Sequence, residues 1–69
     1  MNTIKVYTKF ETKRHGAWVV LDIEVVIPRS GTPEVTYLIT PEGKEGDRPI
    51  RHSHMHLVED LQNGEATIL

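Results

Sequence analysis

Three of the chain's four histidines fall in one run, Arg51-His52-Ser53-His54-Met55-His56-Leu57, and no other stretch gathers as many groups able to bind a metal or move a proton. What the run can do depends on its backbone. On a β-strand alternate side chains share a face, so His52, His54 and His56 form a ladder with Ser53, Met55 and Leu57 opposite. At a rise of about 3.3 Å per residue, neighbouring imidazoles stand roughly 7 Å apart and the outer two roughly 13 Å. A zinc–nitrogen bond is only about 2.0–2.1 Å long, so an adjacent pair can converge on one ion but a straight strand cannot bring in the third. In a helical turn His52 and His56 share a face at i and i+4 while His54 points away. Neither pair completes a site, since structural zinc takes about four ligands and catalytic zinc about three or more. His15, Asp47, Glu59 and Asp60 are the candidates to complete one. The plainer reading is a set of surface imidazoles with no cofactor; the alternative is a zinc or other divalent-metal site on His52, His54, His56 and Glu59.

Around the same run, Gly46-x5-His52-Ser53-His54-x4-Glu59, followed by Gly64-Glu65-Ala66-Thr67-Ile68, resembles the first metal-binding motif of the cupins. In that family the two histidines and the glutamate bind a divalent metal with a histidine from a second motif, so the resemblance implies His52, His54 and Glu59 as ligands. It covers residues 46–69. It departs from the pattern in the short spacing from Glu59 to Gly64, and the family's double-sheet barrel needs more strands than the remaining residues supply.

Catalytic chemistry finds little support elsewhere. The chain has no cysteine, no glycine-rich phosphate loop of the right spacing and no nucleophile elbow. Ser53 lies between two histidines, yet strand alternation points it away from both. A non-enzymatic protein is expected. Asp22 and Glu24 share a strand face and read as a solvated acidic patch. Lys5, Tyr7 and Lys9 on the outward face of the first strand, with Lys13 and Arg14 in the following turn and Trp18 beyond it, form a second candidate surface. Cations interleaved with aromatic rings stack bases and neutralise phosphates, and they equally serve a protein interface or, for Trp18, the core.

Composition narrows the classes. Sixty-nine residues make one small domain, residues 1–69, of a size that buries only about 60% of its extended-chain surface. Without cysteines disulfides are excluded, which leaves a compact barrel, an oligomer or a metal to supplement the core. A chain this short has little room for the ~300 Å³ that small-ligand pockets occupy, so a surface is the expected working part. The net charge of −2 hides an asymmetry. Residues 1–15 carry Lys5, Lys9, Lys13 and Arg14 against Glu11, whereas residues 16–69 carry four basic and nine acidic residues. A nucleic-acid binder shows a stronger overall basic bias. No apolar run approaches the ~20 residues of a membrane span, and the N-terminus alternates instead of building a signal peptide. A cytoplasmic protein with no membrane partner is expected.

The elements that position these groups read as strands. Thr3 to Glu11 alternates, with Thr12 to Gly16 as the turn. Ala17 to Ile27 is the longest β signal, with Ala17, Val19, Leu21, Ile23, Val25 and Ile27 on one face. Trp18, Val20, Asp22, Glu24 and Val26 form the other, mixed face. Pro28 to Pro33 breaks the chain, Glu34 to Thr40 alternates again, Pro41 to Asp47 turns, and Arg48 to Arg51 opens the next strand. Ala66 to Leu69 is a candidate last strand. No helix is expected; the one candidate, around His52 to Leu61, lacks a long apolar period, although Ser53 could cap it.

The expected fold is all-β, a small antiparallel barrel or curled sheet of four to five strands with at most one short 3₁₀ turn. The strand layout resembles SH3-like barrels, in which the last two strands are joined by one 3₁₀ turn. That resemblance implies a turn at His52 to Met55, Met55 plugging the barrel end, and His56 to Glu59 as the closing strand. The function expected is a macromolecule-binding module, foremost a protein-binding accessory or inhibitor protein in the style of phages and mobile elements. It would use Lys5, Tyr7, Lys9, Lys13, Arg14 and Trp18. Open sheet edges favour a homodimer or other homo-oligomer. The alternatives are the divalent-metal protein above and a nucleic-acid-binding barrel that uses the basic first hairpin.

Overall fold

The structure of the protein, a computed structural model, describes residues 4–69. Strands β1 (Lys9–Thr12), β2 (Gly16–Val26), β3 (Glu34–Pro41) and β4 (Ile50–Ser53) follow one another as an antiparallel meander; helix α1 (His54–Asn63) then leads into β5 (Ala66–Ile68). The last strand returns to pair with β1, Phe10 facing Ile68, so the single sheet has the order β4-β3-β2-β1-β5. The all-β expectation of a small antiparallel sheet holds, with five strands and one short helix.

One irregularity organises the sheet. Val20 faces Ile39 and the next pair is Asp22 with Leu38, so Leu21 is an extra residue, a β-bulge. The extra residue reverses the alternation halfway along β2. Trp18 and Val20 therefore lie on the same face as Ile23, and Val19 lies on the same face as Asp22 and Glu24. A mixed face remains but its membership changes: buried Val19 shares it with Asp22 and Glu24, while Ile23 joins Trp18 and Val20 on the other.

A bulge also bends its strand, and here the sheet curls. Phe10 on β1 and His52 on β4 stack with ring centroids 6.4 Å apart, although strands three places apart on a flat sheet lie roughly 14 Å apart. The core fills this concave face: Phe10, Val20, Tyr37, Ile39, Leu57 and Ala66 are buried, with Trp18, Ile23, Val35, Leu61 and Ile68 packed against them. On the convex face Lys9 reaches across β2 to Glu42 at 3.0 Å, and Arg51 lies 3.6 Å from Glu24. Both pairs are solvent-exposed and count for little in stability.

Two elements differ from the sequence expectation. The segment read as a 3₁₀ turn and a closing strand, His52 to Glu59, ends β4 and forms the first part of a ten-residue α-helix. Ser53 caps it, its Oγ accepting the His56 N–H at 3.1 Å, and Gly64, at φ 77°, closes it in the left-handed conformation. Met55 is 75% exposed and plugs nothing. A helix of this length is marginal in isolation; Leu57 and Leu61, one turn apart, pin it to the sheet. Two apolar residues in register make a weak period in sequence but suffice when a concave sheet lies beneath them. The last strand, β5, instead pairs with β1 at the sheet's edge.

The first strand is also shorter than expected. Thr8 N–H donates to the Lys5 carbonyl at 3.0 Å and Lys5 N–H to Thr8 Oγ1 at 2.9 Å, closing a turn in which Tyr7 sits at φ 70°. That conformation is uncommon for a bulky side chain. It is held by two bonds to β2, Tyr7 N–H to the Val20 carbonyl at 2.6 Å and Val20 N–H to the Thr8 carbonyl at 2.9 Å. Thr3, the expected start of the strand, lies outside the described residues.

Candidate functional site

The curl leaves an open cleft of about 400 Å³ at the β1–β2 turn end of the concave face. Its size corrects the expectation that so short a chain lacks a pocket. Phe10, Trp18, Ile39 and Ile50 give it an apolar floor and walls, and His52 lines it from β4. Its charged groups come from three different places: Arg14 from the β1–β2 turn, Asp60 from α1 and Glu65 from the turn before β5.

Each ring is held by identifiable contacts. Trp18 is half-buried and meets His15 edge to face, centroids 6.4 Å apart and planes at 84°. His15 is fixed by the turn, its N–H donating to Thr12 Oγ1 at 3.0 Å, and Gly16, at φ 76°, supplies the left-handed residue that lets β2 begin. His52 lies between Phe10 and His56, the latter with its centroid at 6.1 Å. Its Nε2 is buried without a hydrogen-bond partner. His54 is exposed but engaged, with Tyr37 Oη 2.6 Å from its Nδ1. Burial pushes the Tyr37 phenol above its ordinary value, so it stays protonated.

Burial is also the main force on His52, holding its pKa below the ordinary 6.5; the nearby Asp60 carboxylate opposes it and His56 adds to it. The unfolded chain therefore takes up this proton more readily than the folded one, and stability falls as pH drops through 6.5, levelling only below the folded value. The melting temperature is expected to be lower at pH 5.5 than at pH 7.5, and His52→Gln to reduce that difference. Equal pH dependence in the two proteins would refute the assignment to this ring.

The histidine run does not act as a ladder. His52 belongs to β4, His54 is the first helical residue and His56 is in the first turn, with Glu59 exposed farther along α1. Among the described residues no three His, Asp or Glu side chains come together as a group able to hold a metal ion. The six expected surface residues are likewise divided. Arg14 and Trp18 meet in the cleft. Lys9 is on the opposite face from Trp18 and bonded to Glu42, which together with its charge raises the Lys9 pKa. Lys5 and Tyr7 belong to the turn before β1, and Lys13 lines a smaller hollow of about 110 Å³ beside Gly64.

Glu65, Phe10 and Ile39 were missed as site residues, and Asp60 was named only as a candidate metal ligand. No local signal marks them, because they reach the cleft from separate elements. No helix among the described residues is long and apolar enough to cross a membrane. Compared with protein-family models, with curated proteins and with solved structures, the chain matches none.

Proposed function

We propose that the chain is a non-enzymatic binding module that docks on another protein, taking a projecting side chain of its partner into the Trp18 cleft. The observation that carries this reading is the cleft itself, an apolar and aromatic floor of about 400 Å³ with Arg14, Asp60 and Glu65 around it. Binding hot spots are enriched in Trp, Tyr and Arg and cluster where an anchor fills a desolvated pocket.

The strand order, with α1 between β4 and β5, supports an SH3-like layout in which the 3₁₀ turn is enlarged to a helix. Small size and an acidic body fit an accessory or inhibitor protein of the cytoplasm. Val25, Val26 and Ile27, each at least 50% exposed at the far end of the β2–β3 hairpin, offer a separate surface on which two copies could associate.

The test compares wild-type protein with Trp18→Ala and Met55→Ala as immobilised baits in extract of the native host, each variant first checked for cooperative unfolding. A specific protein retained by wild type and Met55→Ala but reduced at least about tenfold on Trp18→Ala is the expected result, the loss of one hot-spot residue. Identical retention by all three would exclude the cleft as the docking site.

A further inference from the structure

Asp60 is half-buried and Glu65 exposed, and both line the cleft. Among the described residues neither carboxylate has a basic side chain within 4.0 Å; the two ion pairs of the sheet involve Lys9, Glu42, Arg51 and Glu24. Arg14 lines the same cleft and likewise pairs with neither acid. Two carboxylates thus stand against one guanidinium in a site walled by Trp18 and Phe10.

We propose that the cleft accepts a basic side chain of the partner protein, specifically an arginine guanidinium laid on the Trp18 ring with its N–H groups directed to Asp60 and Glu65.

The chemistry favours a cation over an anion. An incoming carboxylate would gain Arg14 but face Asp60 and Glu65 in a space partly withdrawn from water, and like charges there repel strongly. An incoming cation gains both acids and the negative face of an indole. Arginine is favoured over lysine because a planar, weakly hydrated guanidinium stacks on an aromatic wall and offers about five N–H donors in a fixed fork. Lysine offers a compact ammonium that stays better solvated outside. The cation already present, Arg14, sits in an exposed turn and defines the mouth.

This rests on the docking reading above, and the experiment separates the two. Trp18 is the only tryptophan, so its fluorescence reports occupancy directly. The full chain is titrated with three small probes: N-acetyl-argininamide; N-acetyl-citrullinamide, which keeps the shape but replaces guanidinium by neutral urea; and N-acetyl-glutamate amide. The expected order is arginine first, citrulline weaker by about tenfold, the acid weakest, with Asp60→Asn and Glu65→Gln each lowering arginine affinity several-fold while leaving citrulline unchanged. A tenfold step is the size of one charge-assisted hydrogen bond. Equal binding of arginine and citrulline, preference for the acid, or no response to any probe overturns the guanidinium assignment. If Trp18→Ala still abolishes partner capture in any of those cases, docking through the cleft stands and only its cationic ligand falls. If capture is also unaffected, both readings fall.

Discussion

Phe10→Ala is expected to cost about 3–5 kcal/mol and to leave most of the chain unfolded at 37 °C. A domain of this length carries only roughly 3–10 kcal/mol of total stability. Phe10 is 1% exposed and sits where the sheet turns back on itself. It faces Trp18 on one side and Ile68 on the other, so it joins β2 to β5 through β1. It also supports His52, the far side of the curl. Removing the ring leaves a cavity that only strand movement could fill, and movement would part β1 from β4. Urea denaturation followed by far-ultraviolet circular dichroism measures this directly. A loss below about 1 kcal/mol would show that the concave packing does not hold the sheet together.

Leu57→Ala is expected to cost about 2–5 kcal/mol. Leu57 is 0% exposed, the one fully buried side chain of α1, and with Leu61 it is the helix's hold on the sheet. Because a ten-residue helix has little stability alone, its loss of anchorage should appear as disproportionate loss of helical signal. It should also loosen the cleft, which takes Asp60 from the same helix. Leu57→Met, which conserves volume, is expected to cost less than about 1.5 kcal/mol. Equal destabilisation by the two substitutions would mean that shape and not buried volume governs this position.

The role of α1 in both results shows why it was hard to read in the chain. Ser53 and Gly64 bracket it with appropriate capping residues, but between them only Leu57 is fully buried, with partly buried Leu61 one turn on packed against the core. His52, His54 and His56 meanwhile alternate as a strand would. Period two and period four were both present over the same residues, and local propensity does not choose between them. The sheet does, by presenting an apolar concavity that two leucines one turn apart can fill.

Other parts were legible directly. The breakers Pro28 to Pro33 and the turn Pro41 to Asp47 mark the hairpin connections, and alternation marks β3. For these, local chain chemistry and final structure agree, because a turn or a half-buried strand is specified by residues adjacent in sequence.

The amino-acid sequence alone determined that this is a small, disulfide-free, antiparallel β-protein with a basic start and an acidic remainder. Those properties follow from residue types and short-range periodicity. Tertiary structure alone decided which faces meet and what the cleft contains. The extra residue Leu21 reverses alternation within β2, gathering Trp18, Val20 and Ile23 on the concave side. That curl then brings Arg14, Asp60 and Glu65 to one opening from elements far apart along the chain. A side chain's face depends on the backbone register it is held in, and register is set by pairing with another strand, which no window of sequence contains.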